Sequence, residues 1–299
     1  MDSDALKTFL AIHRANGFSN AGDALGRSQP AISRRIAQLE AELGAPLFER
    51  VAGGAVLSQA GRVLLPHAER VMAALQDASD AVDALRAGNA GPVSLAVVGT
   101  LASTKLTSVL KTFAARLPDV ALQLTTATSA EISDQVRRGE ATIGLRYFED
   151  NAPDLVCEHL GGETMRVICA PSHRLAGKRV KHLADLKDER WFAFPAVPGR
   201  REASAQLLHV QFLMRGVADF TWTPADSLTA QKRLVEAGFG IALIQESSIQ
   251  EERAAGALAT ISVGDLVAEN PVYAIVRKDG YLSGAAKALL EELKRKKFP

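Results

Sequence analysis

A chain of 299 residues has room for two or three domains at roughly 100–200 residues each. With 47% hydrophobic and 23% charged residues and a net charge of +1, it has the composition of a globular protein, which excludes fibrous and disordered classes. The acidic start MDSDALKTFL lacks the basic and apolar stretches of a secretion signal, and no apolar run approaches the ~20 residues that span a bilayer, so a cytoplasmic chain without a membrane partner is expected.

Short helices broken by tight turns are expected up to Ser58. Leu6, Phe9, Leu10 and His13 share one helical face, and Gly17 ends that helix. Ser19 is placed to cap a helix from Asn20 to Leu25, which Gly26 stops. Ser28 is placed to cap a third helix, with Pro30 in its first turn, where a missing N–H costs little. Ile32, Ile36, Leu39 and Leu43 make its buried stripe, and Gly44 closes it. Two helices joined by Gly26-Arg27-Ser28 have the proportions of a helix-turn-helix. Leu47 and Phe48 then anchor a two-stranded wing over residues 51–57, turned by Gly53 and Gly54.

From Gly61 the pattern changes. Leu64, Ala68, Val71, Leu75, Ala78, Val82 and Leu85 alternate at spacings of four and three, a heptad seam that suits a second helix. Packing within the chain gives the same stripe, so both readings stand. Pro66 should kink this helix. Gly88-Asn89-Ala90-Gly91-Pro92 reads as a linker.

Beyond it, strands are expected at 93–98, 120–126, 141–146, 165–170, 191–194, 220–223, 241–244 and 272–276, with helices at 104–116, 130–138, 202–214 and 228–237 between them. That alternation predicts parallel α/β sheets, and about 210 residues of it fit two lobes better than one. Cys157 and Cys169 show no CxxC spacing, which argues for reduced thiols; a redox switch is the alternative, disfavoured by their separation across predicted strands.

The run Gly17-Phe18-Ser19, Ala21, Ala24-Leu25, Ser28-Gln29-Pro30-Ala31-Ile32-Ser33, Ile36, Leu39-Glu40, Leu43-Gly44 and Leu47-Phe48-Glu49-Arg50 closely resembles the LysR-type transcriptional regulators. The segments Pro171–Leu175 and Val235–Leu243 resemble parts of that family's second lobe. Three positions depart from its habits: Ser58 stands where threonine is usual, Thr142 where aspartate is frequent and Gln245 where proline is. The resemblance implies an α/β chain. An N-terminal helical winged helix-turn-helix (1–58) and a linker or dimerisation helix (59–90) precede a two-lobed effector domain (91–299) like a periplasmic binding protein. Lobe I would span about 91–161 and 269–299, and lobe II about 162–268. It further implies an activator or repressor that binds imperfect palindromes of double-stranded DNA as a dimer or tetramer. A small-molecule effector sits between the lobes, and RNA polymerase is the further partner implied.

On the third helix, the face opposite the apolar stripe carries Gln29, Ser33, Arg34 and Gln38. Gln and Arg can make bidentate contacts to adenine and guanine edges in the major groove, and Ser33 is small enough for close approach. Arg27 and Arg35 flank this face as phosphate contacts, and Ser28 and Pro30 complete the motif. The wing carries no basic residue between Arg50 and Arg62, so a weak contribution is expected from it. In α/β lobes ligands sit beyond the carboxyl ends of the strands. By resemblance Thr100, with Leu101 beside it, Ser129, Arg146 and Pro198 line that cleft, a set suited to an anionic metabolite. Capping by Thr100 and Ser129 and a strand-end ion pair for Arg146 are the plainer alternatives. A free-standing binding protein or enzyme is the competing class. The SQPAIS motif and the heptad helix oppose it, and there is no GxSxG, HExxH, P-loop or GxGxxG motif. Six scattered histidines lack metal-ligand spacing, so neither catalysis, metal nor cofactor is expected.

Overall fold

The structure, a computed structural model, describes residues 1–86, 91–102, 104–195 and 203–296; for Arg50, Arg86, Thr104 and residues 203–206 only the backbone is described. The chain forms two compact units that divide near Asp83.

In the first unit, α1 (Ser3–Ala15) starts where the Asp2 carboxylate accepts the Ala5 N–H at 2.8 Å, and ends at Asn16 in the left-handed region. The short helix α2 (Phe18–Leu25) begins two residues earlier than expected, with Gly17 rather than Ser19 at the N-cap. Phe18 accounts for this: its ring packs edge-on against Phe48, 5.8 Å between centroids, so the helix starts at the residue the core engages. The next helix, α3 (Gln29–Leu43), has Ser28 at its N-cap, but the hydroxyl makes no capping bond. Ile32, Ile36 and Leu39 are buried as expected, whereas Leu43, in the last residue of the helix, is exposed.

The wing pairs β1 (Phe48–Val51) with β2 (Gly54–Leu57) in antiparallel register Phe48↔Leu57, three residues longer on its first side than the sequence suggested. Phe48 draws the strand inward, 5.3 Å from Phe9. The long helix α4 (Gln59–Arg86) is capped as expected: the Ser58 hydroxyl accepts the Gly61 N–H at 3.0 Å and donates to the Pro46 carbonyl at 2.6 Å. It runs uninterrupted past Pro66. Phe9, Ile12, Ile32, Ile36, Leu39 and Leu47 form the centre of this unit, each burial contributing about 1.5–3 kcal/mol.

The second unit opens with β3 (Val93–Val98), α5 (Thr104–Arg116), β4 (Leu122–Ala127), α6 (Ser129–Arg137) and β5 (Ile143–Tyr147). These strands are parallel, with β3 between β4 and β5. There follow β6 (Leu155–Cys169), β7 (Arg179–Val180), β8 (Trp191–Ala193), α7 (Ala203–Leu213), β9 (Trp222–Pro224), α8 (Leu228–Glu236), β10 (Ile241–Gln245), α9 (Gln250–Ala254), β11 (Ala259–Val263), β12 (Glu269–Arg277) and α10 (Gly284–Arg295). Strands β8, β9 and β10 form a second parallel set. The expectation of purely parallel sheets is corrected by β6 and β12, which run antiparallel to their neighbours and to each other.

Strand β6 is the pivot. Its first part pairs with β12 through Thr164↔Glu269, and its second with β10 from Met165↔Gln245 and with β11. The register with β12 slips by one residue at Leu160–Gly161, where Gly161 adopts φ +127°, a bulge that a side chain would strain. Separate apolar clusters lie around β3, β5 and β12 and around β8 and β10, so each lobe has its own core. Among the described residues no helix is long and apolar enough to cross a membrane.

The turn between α2 and α3 depends on a close approach. A Cβ on Gly22 would lie 2.6 Å from the Arg27 carbonyl oxygen, which is backbone and cannot swing aside. Gly22→Ala should therefore destabilise the N-terminal unit by about 1–3 kcal/mol. The measurement is the urea midpoint of its helical signal; an unchanged midpoint would show that the turn relaxes freely.

Candidate DNA-reading face and effector cleft

Helix α3 presents Gln29, Pro30, Arg34 and Gln38 to solvent, with Ser28 exposed just before it and Ser33 half-buried among them. Gln29 Nε2 donates to Ser33 Oγ at 3.0 Å, which holds the amide over the helix surface. Arg34 makes no ion pair or hydrogen bond among the described residues. Its neighbours differ. Arg27 Nη1 donates to Asp4 at 2.9 Å, and Arg35 binds Asp2 at 2.7 Å with its Nε 3.2 Å from Asp4. Both carboxyls are held below their usual range: Asp2 first by the Ala5 N–H and then by Arg35, Asp4 first by its bond to Arg27. These pairs fasten the start of α1 to α3 through Arg35 and to the turn before α3 through Arg27. The sequence reading treated Arg27 and Arg35 alone and missed Asp2 and Asp4. Their signal is faint, because acids in a first turn have a sufficient explanation in the helix dipole. Behind the face, Glu40 Oε1 accepts the Leu47 N–H at 2.7 Å and ties the end of α3 to the wing.

The heptad seam divides into two parts. Ala68 is buried and Leu64 half-buried against the core of the N-terminal unit. Val71, Leu75, Val82 and Leu85 remain 44%, 48%, 50% and 77% exposed, and Ala78 is exposed between them.

In the second unit, register brings the carboxyl ends of β3, β4 and β5 to one edge, since Val98 pairs with Ala127 and Val97 with Leu145. Thr100 sits there in a short 3₁₀ turn (Gly99–Leu101), and its hydroxyl lies 2.9 Å from that of Tyr147. The following residue, Phe148, has φ +59°, a strained conformation for a bulky side chain, and its N–H donates to the Pro271 carbonyl at 2.9 Å. Across from this edge, β10 ends in a 3₁₀ turn (Glu246–Ile249) whose Ser248 hydroxyl donates to the Thr100 carbonyl at 3.2 Å.

A cavity of about 810 Å³ opens beside that bond. It is lined by Thr100, Thr107 and Ser108, by Lys111 of α5, by Ser227, Thr229 and Lys232 of α8 and its approach, and by Ser247, Ser248 and Glu252. Lys232 is bound to Glu252 and, at 3.0 Å, to the Ser248 carbonyl, while Lys111 is exposed.

The other expected cleft residues are placed differently. Leu101 is fully buried in the apolar core of its lobe, and Ser129 is buried in the first turn of α6. The Nη1 of Arg146 donates to Asp150 and to Ser133, both at 2.7 Å, and its Nε donates to the Tyr147 carbonyl at 3.3 Å. That is the strand-end ion pair set beside the anion anchor. Pro198 lies outside the described residues, as do residues 87–90 of the linker. Lys111, Lys232, Ser247 and Ser248 were missed. The two serines follow a predicted strand, so the rule that found Thr100 could have found them; the lysines sit inside helices and carry no signal.

Among the described residues, no group of His, Cys, Asp or Glu is arranged to hold a metal. Burial pushes the Cys157 thiol up, and its Sγ donates to the Asp150 carbonyl at 3.2 Å. Cys169 is fully buried and pushed up to about 11. The thiolate is the reactive species, so neither site favours redox sensing.

The pattern described as "Bacterial regulatory helix-turn-helix protein, lysR family" matches residues 3–62, and that of the "LysR substrate binding domain" matches residues 86–297. The regulator CbbR of Rhodospirillum rubrum is 31% identical over 97% of this chain and 94% of its own. The RuBisCO operon transcriptional regulator of Allochromatium vinosum is 26% identical over 96% and 93%. Among solved structures, the LysR family regulator CbnR superposes with a TM-score of 0.66 at 25% identity, covering 100% of both chains. CbnR bound to its target DNA gives 0.65 at 26%, over 99% of this chain and 100% of that one. These relatives are transcriptional regulators and not enzymes, and with both patterns matched this chain belongs to the LysR family of DNA-binding transcriptional regulators.

Proposed function

We propose that this regulator is switched by a small, polar, anionic metabolite held between the two lobes of its second unit. One observation carries the reading: Thr100, at the converged strand ends of one lobe, is bonded to Ser248 of the other beside a cavity rich in hydroxyl groups. A ligand can shift a protein only through different affinities for its arrangements, and a site fed by both lobes is sensitive to how they stand. The exposed Lys111 ammonium supports an anion, whereas Lys232 is already engaged by Glu252, which lines the cavity with Glu251. Arg146, with its bonds to Asp150 and Ser133, is better suited to bracing the lobe than to holding ligand.

On the DNA side, Gln29, Ser33, Arg34 and Gln38 read base edges, and Arg27 and Arg35 face phosphates. The exposed part of the seam, Val71 to Leu85, pairs with the same helix of a second copy. Two recognition helices then meet the two halves of an imperfect palindrome. The exposure of four large apolar side chains on one long helix supports that pairing.

Arg34→Ala should cost about 1–3 kcal/mol in operator binding and relax specificity at one base position. Arg35→Ala should instead weaken binding alike on all sequences. Matching specificity profiles for the two variants, measured on a randomised operator library, would remove this division of roles.

Val71→Glu with Leu75→Glu places like charges in the seam and should yield monomers in sedimentation with much reduced operator affinity. An undisturbed oligomer that binds normally would take the seam out of the interface.

For the cleft, metabolites that raise the thermal midpoint of the wild-type chain provide the test ligands. Lys111→Ala should weaken such a ligand by about tenfold or more while operator binding persists, as loss of a charged contact of ~1.5–3 kcal/mol implies. Arg146→Ala should lower stability by about 1.5–3 kcal/mol with little change in ligand affinity. The reverse pattern, stable Arg146→Ala protein that no longer binds ligand, would restore Arg146 as the anion anchor.

A further inference from the structure

Where β6 leaves one sheet for the other, polar groups are buried without partners. Glu163 lies two residues before the change and is 0% exposed. Its cross-strand neighbour Asn270 on β12 is likewise 0% exposed, and Ser247, just after β10, is 8% exposed. Neither carboxyl oxygen of Glu163, nor Asn270 Oδ1, nor the Ser247 hydroxyl has a hydrogen bond of ordinary geometry among the described residues. A carboxylate taken from water without a partner loses most of what stabilises its charge, and the group neutralises instead.

The charges around it do not reverse this. Burial is the largest influence and lifts the Glu163 carboxyl above the usual range; Glu246 pushes the same way. Ser247, at the edge of hydrogen-bonding reach, and the Lys105 ammonium of α5 pull back only in part. Lys105 is a weakened counter-ion, itself held below the usual lysine range by burial and by Lys296, with Glu163 opposing. Arg166 of β6 is bound to Glu246 at 2.9 Å.

This cluster stands one residue from Ser248, whose hydroxyl bridges to Thr100 of the other lobe. Both strands that join the lobes pass through it, at Glu163 and at Asn270.

We propose that Glu163 is a proton-carrying hinge acid: it is neutral while β6, β12 and Ser247 are packed as here, and any lobe movement that admits water releases its proton. The response of the regulator is thereby coupled to pH. Only this coupling to effector rests on the cleft reading above; the protonation of Glu163 stands without it.

The sign follows from linkage. The packed hinge binds a proton at pH values where water-exposed glutamate, with its ordinary value of 4.5, has lost one. Its advantage is fully present below that value and is lost as pH rises toward the raised value of the buried group. Acid therefore favours the packed hinge, and alkali the opened one.

The test uses the full chain without any effector, so it stands apart from the fate of the cleft reading. Infrared spectra at neutral pH should show the carbonyl band of a protonated carboxylic acid that Glu163→Gln lacks. The thermal midpoint of the second unit should fall by several degrees more in wild type than in Glu163→Gln between about pH 5 and about pH 8. If Glu163→Gln does not fold, Glu163→Asp must shift the band. Lys105→Met should leave the band in place. A wild type without the band, a band that appears only in Lys105→Met, or equal pH slopes for wild type and Glu163→Gln would each overturn the proposal.

Discussion

Strand β6 is hydrogen-bonded into two sheets, and most of what the second unit can do depends on that sharing. From Leu155 to Thr164 it answers to β12, and from Met165 to Cys169 to β10 and β11. Side chains alternate along a strand, so a slip of one residue in either sheet would turn the apolar set of both outward. The bulge at Leu160–Gly161 takes up the phase difference, leaving Leu155 and Leu160 in one core and Val167 and Cys169 in another. With β12 returning beside it, β6 leaves the lobes two strands on which to move. The Thr100–Ser248 bond and the cavity beside it lie next to that crossing, since Ser247 and Ser248 both line the cavity.

The first unit is organised by a different constraint, the need to hold a helix rigidly while leaving one face bare. Helix α3 is fixed from three directions. Its apolar side enters the core through Ile32, Ile36 and Leu39, Glu40 binds the wing, and the first turn of α1 binds Arg27 and Arg35. Gly22 lets the turn come close enough for the α2–α3 angle to form. What remains facing outward, Gln29, Arg34 and Gln38, is polar and long, the kind of surface that gains most from a partner with hydrogen-bonding edges.

How much of this was legible depended on whether the signal was local. The strand at Val93–Val98 and the helix at Thr104–Arg116 were readable to the residue, because a short, nearly continuous apolar run gives way to a 3.6-residue pattern between them. The first half of β6, LVCEHLGGET, was not, since a bulge breaks its alternation and polar residues face a hinge. With β7 and β11 too short or too mixed to stand out, the antiparallel pairings disappeared with them, and parallel sheets were the natural error. Helix α10 carries a readable stripe, Ala285, Leu289 and Leu293, at four-residue spacing. In the site, the SQPAIS motif located the exposed polar face of α3. The choice between ligand anchor and ion pair for Arg146 needed the position of Asp150, four residues on but around a turn. Lys111 became visible only when α5 was set opposite α8.

The pairing of Arg27 with Asp4 and of Arg35 with Asp2 has a consequence for how DNA binding by this chain will look in solution. DNA carries a sheath of condensed cations, and a protein cation that displaces them makes affinity depend on salt. An arginine already neutralised by its own carboxylate must first give it up, and the freed aspartate then attracts a cation in its turn. The exchange releases fewer ions than the contacts formed. On the proposed reading, in which Arg27 and Arg35 face phosphates, the steepness of a salt titration will therefore count fewer contacts than those arginines make.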